Sequence, residues 1–68
     1  MDNDLPSLRD RHGESQADLA EAVGVTRQTI NAIERDRYDP SLELAFALAA
    51  HYDRRIEEIF HDSPDDAD

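Results

Sequence analysis

Two segments with helical apolar spacing, one carrying Leu19, Ala20 and Val23 and the other Ile30 and Ile33, are separated only by Gly24, Val25 and Thr26. Glycine closes the first segment, because it takes the left-handed conformation that ends a helix without a Cβ penalty. Thr26 caps the second through its side-chain oxygen. So short a junction cannot return the chain as an antiparallel helical hairpin and forces a sharp crossing, the geometry of a helix-turn-helix. The rest of the chain has to pack around that corner.

The segment after the corner, Thr26 to Arg35, divides into two faces. At 100° per residue Thr29, Ile30 and Ile33 gather on one side, while Arg27, Gln28, Asn31 and Arg35 cover the opposite arc beside a low spot at Ala32. One face calls for a core. The other is either an ordinary solvated helix surface or a face built for close approach to a grooved, polar partner.

The flanking chain supplies further short helices. Leu5 to His12 forms the first: Pro6 is tolerated where its missing N–H has no intrahelical partner, Leu5 and Leu8 make an apolar pair, and Gly13 is the stop. Ser15 caps the second helix, with Asp18 three residues on as a shortened capping box. After Arg35, Asp36 sits in a turn and Pro40 pushes the residue before it out of the helical region. Ser41 then caps a fourth helix, Leu42 to Tyr52, whose near-continuous apolar character predicts a central position. A fifth, Ile56 to Phe60, places Ile56, Ile59 and Phe60 on one face. These elements form one all-α, five-helix domain over residues 1–62, with the helix-turn-helix at 15–35. Residues 63–68 read as an acidic, disordered tail.

A chain of 68 residues buries only about 60% of the surface its unfolded form exposes, so the core must be small. With no cysteine, neither a disulfide framework nor a cysteine-based zinc site is available. No apolar run approaches the roughly 18 residues of a membrane span, and the N-terminus lacks a signal-peptide pattern, so a soluble, cytoplasmic protein is expected. Seventeen acidic residues face seven basic ones, a net charge of −10, and a nucleic-acid binder is expected to carry a basic footprint. The distribution softens that objection. From Thr26 to Tyr38 three arginines face two acids, a local net of +1 that leaves −11 for the remainder. Every cation is arginine, and this excess of Asp and Glu without lysine looks like the proteome of a salt-loving organism, where concentrated ions screen self-repulsion.

The run SQADLAEAVGVTRQTINAIERDRYDPSLELA resembles the phage-repressor-like, or XRE, family of helix-turn-helix regulators. That family's pattern is S/T-Q-x-x-L-A-x-x-x-G-V-[ST]-x-x-x-I-x-x-[IL]-E, followed by a turn and a proline. The chain matches it at Ser15, Gln16, Leu19, Ala20, Gly24, Val25, Thr26, Ile30, Ile33, Glu34 and Pro40, and its remainder, through IEEIF, is similar to short stand-alone members. The resemblance covers residues 5–60. It implies a lambda-repressor-like, five-helix domain that binds double-stranded DNA as a homodimer and regulates transcription.

Carried onto this sequence, the resemblance lays the third helix in the major groove. Arg27 and Gln28 then meet base edges, arginine suiting guanine and glutamine adenine, with Asn31 one turn further in, on a base or a phosphate. Gln16, at the start of the second helix, matches the family's phosphate anchor. Thr26, Arg35, Arg37 and Tyr38 are further phosphate candidates, with capping for Thr26 and plain solvent for the arginines as the competing readings. Glu34 falls toward the core flank, and the family pairs it with an arginine of the first helix. Arg9 occupies that position, so an Arg9–Glu34 ion pair of structural character is expected.

The chain departs from the family where Glu14 replaces an apolar residue before Ser15. That removes a hydrophobic staple onto Leu19 and predicts a looser start to the second helix. Asp36 stands where glycine or asparagine is common, and Arg55 replaces a capping serine. His12, His51 and His61 share no ligand spacing, and no phosphate loop, nucleophile elbow or carboxylate pair is present, which speaks against a metal site, a cofactor, a small-molecule substrate and an enzyme. The leading reading is a homodimeric transcriptional repressor on a pseudo-palindromic operator. The rival is a protein-interaction module, an antitoxin or adaptor, on the same scaffold.

Overall fold

The structure, a computed structural model, describes residues 1–61; the acidic tail read over 63–68 lies outside them. In chain order the elements are β1 (Asp2–Asn3), α1 (Leu5–Arg11), α2 (Gln16–Val23), α3 (Arg27–Glu34), α4 (Leu42–Tyr52), α5 (Ile56–Ile59) and β2 (Phe60–His61). The five helices enclose one core, in which Leu5, Leu19, Ile30, Ile33, Leu48 and Ile59 are almost wholly excluded from solvent. Helix α2 packs on α3 and α4, and α5 packs on α4.

Local chemistry sets where the helices begin. Ser15 Oγ accepts the Asp18 N–H at 3.0 Å while the Asp18 carboxylate accepts the Ser15 N–H at 3.0 Å, a reciprocal capping box. Thr26 and Ser41 cap α3 and α4 in the simpler one-way manner. At α5 no side chain of Arg55 caps the helix; the Glu58 carboxylate accepts the Arg55 N–H at 2.8 Å instead.

The ends follow one rule four times over. After each of α1 to α4 a residue takes positive φ, at Gly13, Gly24, Asp36 and Asp53, and the next N–H folds back onto a carbonyl five residues earlier. Val25 N–H, for example, donates to the Ala20 carbonyl at 2.9 Å, and Arg37 N–H to the Ala32 carbonyl at 2.9 Å. These are Schellman closures, two on glycine and two on aspartate, which tolerates the left-handed region better than most residues.

The structure corrects the sequence reading in three places. The described residues are not all helix and turn: β1 pairs antiparallel with β2, Asp2 opposite His61 and Asn3 opposite Phe60. Phe60 accordingly leaves the fifth helix, at φ −113° and ψ 134°, and drops its ring into the core. Two strands of two residues carry no periodic signal, so only their approach in space reveals them. Second, α4 is not buried all round. Leu42 and Phe46 are 68% and 58% exposed, because the core takes only the stripe through Leu44, Ala45, Leu48, Ala49 and Tyr52.

Third, the start of α2 is not loose. The Tyr52 hydroxyl donates to Glu14 Oε1 at 2.7 Å and His51 Nε2 meets Glu14 Oε2 at 2.6 Å, so a carboxylate replaces the missing apolar staple and ties the loop to the end of α4. The rings of His12 and His51 pack against Tyr52 with centroids 5.1 and 4.7 Å away.

Candidate nucleic-acid interface

Helix α3 stands across the corner from α2, its Ile30 and Ile33 locked into the core. Arg27 and Gln28, at its N-terminal end, are exposed, as are Arg35 and Arg37 beyond its C-terminus. Asn31 and Ala32 are half-buried. The helix is held by its hydrophobic side and presents its polar side outward at the end nearest the turn. Thr26, in the turn itself, spends its hydroxyl on the cap: Oγ1 accepts the Thr29 N–H at 3.2 Å and lies 3.0 Å from the Thr29 hydroxyl. Tyr38 is about half exposed beside the loop that follows α3 and lines a shallow cavity with Val25, Thr29 and Ser41.

Beneath the polar face runs a chain of side chains. Arg9 Nε donates to Glu34 Oε2 at 2.6 Å and Arg9 Nη2 to Glu34 Oε1 at 3.0 Å, a two-pronged pair that joins α1 to the end of α3. The third prong of the guanidinium, Nη1, reaches the Glu14 carbonyl at 3.2 Å. The Glu34 side chain is only 6% exposed and that of Arg9 18%, so the pair is screened from bulk water. The hydrogen bond to Glu34 raises the Arg9 pKa against the opposing effect of burial, and the guanidinium stays charged at any working pH.

Gln16 joins the same chain. Its Nε2 donates to Glu34 Oε1 at 2.9 Å and its Oε1 accepts from Asn31 Nδ2 at 3.4 Å. The Gln16 amide is thus turned toward α3 instead of standing free at the start of α2. Sequence reasoning missed this link. The signal that could have found it is spacing: Asn31 and Glu34, three residues apart, share one helix ridge, so a long amide from α2 that reaches one can reach the other.

The two local surfaces around α3 differ in charge. Arg27, Arg35 and Arg37 frame its exposed side, whereas the acids Glu14 and Glu34 are drawn inward onto Tyr52, His51 and Arg9. Glu34 is thereby compensated by the Arg9 charge, and Glu14 is held in place by its hydrogen bonds with Tyr52 and His51.

A family model described as helix-turn-helix matches residues 7–59, from the middle of α1 to the end of α5. The chain belongs to the XRE-type helix-turn-helix family. Three similar relatives carry that description in their names. An uncharacterized HTH-type transcriptional regulator of Methanocaldococcus jannaschii is 52% identical over 60 residues, covering 88% of this chain and 91% of the relative. One of Bacillus subtilis is 47% identical over 60 residues, with the same coverage of both. One of Methanothermobacter thermautotrophicus is 57% identical over 49 residues, 71% of each chain. The match spans the corner of α2 and α3 together with most of α1 and all of α4 and α5.

Among the described residues no helix is long and apolar enough to cross a membrane, and no cluster of three or more His, Cys, Asp or Glu residues could hold a metal ion. The histidines have local roles: His51 on Glu14, and His61 Nε2 3.0 Å from Asp4 Oδ2.

Proposed function

We propose that this chain is a DNA-binding regulator of transcription that acts as a homodimeric repressor, the α3 helix of each protomer lying in the major groove of one half of a pseudo-palindromic operator. Family membership and the names of the relatives support the DNA-binding reading. The observation that carries it is the exposure of Arg27 and Gln28 at the turn-proximal end of α3 while the rest of that helix is clamped. In this reading Arg27 and Gln28 meet base edges with Asn31 behind them. Gln16, Thr26, Arg35, Arg37 and Tyr38 face the phosphate track, and Arg9 with Glu34 belongs to the scaffold. Half-sites one helical turn, about 34 Å, apart suit a two-fold dimer.

The dimer contact is assigned to the exposed apolar surface of α4 and its neighbour α5, where Leu42 and Phe46 lie one turn apart and the half-buried Ile56 lines a shallow cavity with Leu42. A salt-rich cytosol suits the net charge of −10, and catalysis forms no part of the proposal.

The test is fluorescence anisotropy on duplexes enriched from a random-sequence pool, across a salt series. Arg27→Ala should cost about 1 to 3 kcal/mol and relax preference at one base pair. The salt slope should be shallower than that of a basic repressor, since so acidic a protein neutralises few phosphates. No loss with Arg27→Ala would transfer the assignment to a protein-interaction module built on the same fold.

A further inference from the structure

The chain Arg9–Glu34–Gln16–Asn31 has a direction, imposed by which groups can donate and which can only accept. A guanidinium has donors alone, and an ionised carboxylate has acceptors alone. With both Arg9 prongs on its oxygens, Glu34 can accept only a donor from Gln16, so the Gln16 NH2 must turn to it, as it does at 2.9 Å. The Gln16 carbonyl oxygen is then forced to the other side, toward Asn31, and Asn31 answers with its own NH2 at 3.4 Å. The orientation of each amide follows from the charge at the start of the chain. Among the described residues no other hydrogen bond takes up the Asn31 Oδ1 or its second N–H.

From this we infer that Gln16 is a positioning residue for sequence recognition: it sets the amide of Asn31 so that Oδ1 and one N–H face outward as a pair that reads adenine. Adenine offers an N6–H donor and an N7 acceptor on its major-groove edge, and the free acceptor and donor of Asn31 match them one for one. A flipped amide would present the wrong order. The Arg9–Glu34 pair then has a second consequence beyond joining α1 to α3, since it holds the acceptor-only group from which the amide order is counted. The inference rests on the DNA-binding reading of α3 and adds to it a mechanism for one base pair.

The experiment compares the full chain with Asn31→Ala and Gln16→Met, the latter keeping the length of the side chain without its hydrogen bonds. Each protein is run against a random duplex pool and then against single-base variants of the wild-type selected site. The expected result is an adenine preference at one base pair, roughly 5- to 150-fold for a two-pronged contact, lost in Asn31→Ala and reduced at that same base pair in Gln16→Met. Preference unchanged in Gln16→Met, even with weaker binding at every site, overturns the inference and leaves Gln16 a phosphate contact only. A base other than adenine at the Asn31-dependent position overturns it too. If the wild type enriches no sequence, the DNA reading fails and the inference falls with it. A second measurement needs no DNA. In the free protein the side-chain NH2 resonances of Asn31, assigned by their absence in Asn31→Ala, should move in Gln16→Met, and their failure to move would show that the two amides do not touch.

Discussion

The hydroxyl of Tyr52, at the C-terminal end of α4, donates a 2.7 Å hydrogen bond to Glu14 Oε1 in the loop before α2. This contact crosses 38 residues of chain and anchors the start of the helix-turn-helix to the frame. Hydrogen bonds to charged groups contribute about 1.5 to 3 kcal/mol, and a carboxylate that keeps its His51 partner loses somewhat less. Tyr52→Phe should therefore lower stability by about 1 to 2 kcal/mol in urea denaturation, with an unchanged denaturant slope.

The same carboxylate makes stability depend on acid. Burial pushes the Glu14 carboxyl up, but the hydrogen bonds from Tyr52 and His51 outweigh it and hold the group below its ordinary value of 4.5. A group whose folded pKa is depressed contributes stability in full above its unfolded pKa and loses it as pH falls through the folded value. The stability gap between the wild type and Glu14→Gln should be widest above about pH 5 and close below it. Thermal melts from pH 3 to 7 would check this, and a gap that widened with acid would mean the sign is reversed.

Arg9 and Glu34 form the most screened ion pair among the described residues. Removing one partner of such a pair typically costs about 3 to 5 kcal/mol, because the other charge is left without compensation, whereas replacing both can be nearly neutral. Arg9→Met and Glu34→Leu should each lower the melting temperature strongly, and the double variant should recover most of the loss. Additive effects in the double-mutant cycle would show that the two charges are independent.

Gly24 closes α2 at φ +77°, and a Cβ there would meet nothing within 4 Å. The cost of Gly24→Ala is therefore backbone strain alone, about 1 kcal/mol. By the same argument Asp53→Gly, at φ 54°, should stabilise by up to about 1 kcal/mol. Chemical denaturation of the two variants should give opposite signs.

Phe46 and Leu42 are exposed where a second protomer is proposed to sit. Phe46→Glu should shift the chain to monomer in sedimentation equilibrium while leaving its helical circular dichroism intact, since neither ring nor carboxylate reaches the core. If the wild type is itself monomeric at concentrations that saturate its selected DNA, the dimer proposal is lost.

The helices and their order were legible in the sequence because their signals are local. Ser15, Thr26 and Ser41 act as caps, Gly13 and Gly24 as stops, and Leu19, Ile30 and Ile33 repeat at helical spacing; each of these depends on a few neighbouring residues. The short corner at Gly24 and Val25 determined the helix-turn-helix, and the wheel positions of Arg27, Gln28 and Glu34 separated an outward face from an inward one. Tertiary structure alone decided the remainder. The pairing of Asn3 with Phe60, the capture of Glu14 by Tyr52 and His51, and the turn of Gln16 toward Glu34 and Asn31 join residues 15 to 57 positions apart. Such contacts have no period and no fixed spacing. A polar side chain commits to a partner only when folding removes water from around it and leaves one donor or acceptor within reach.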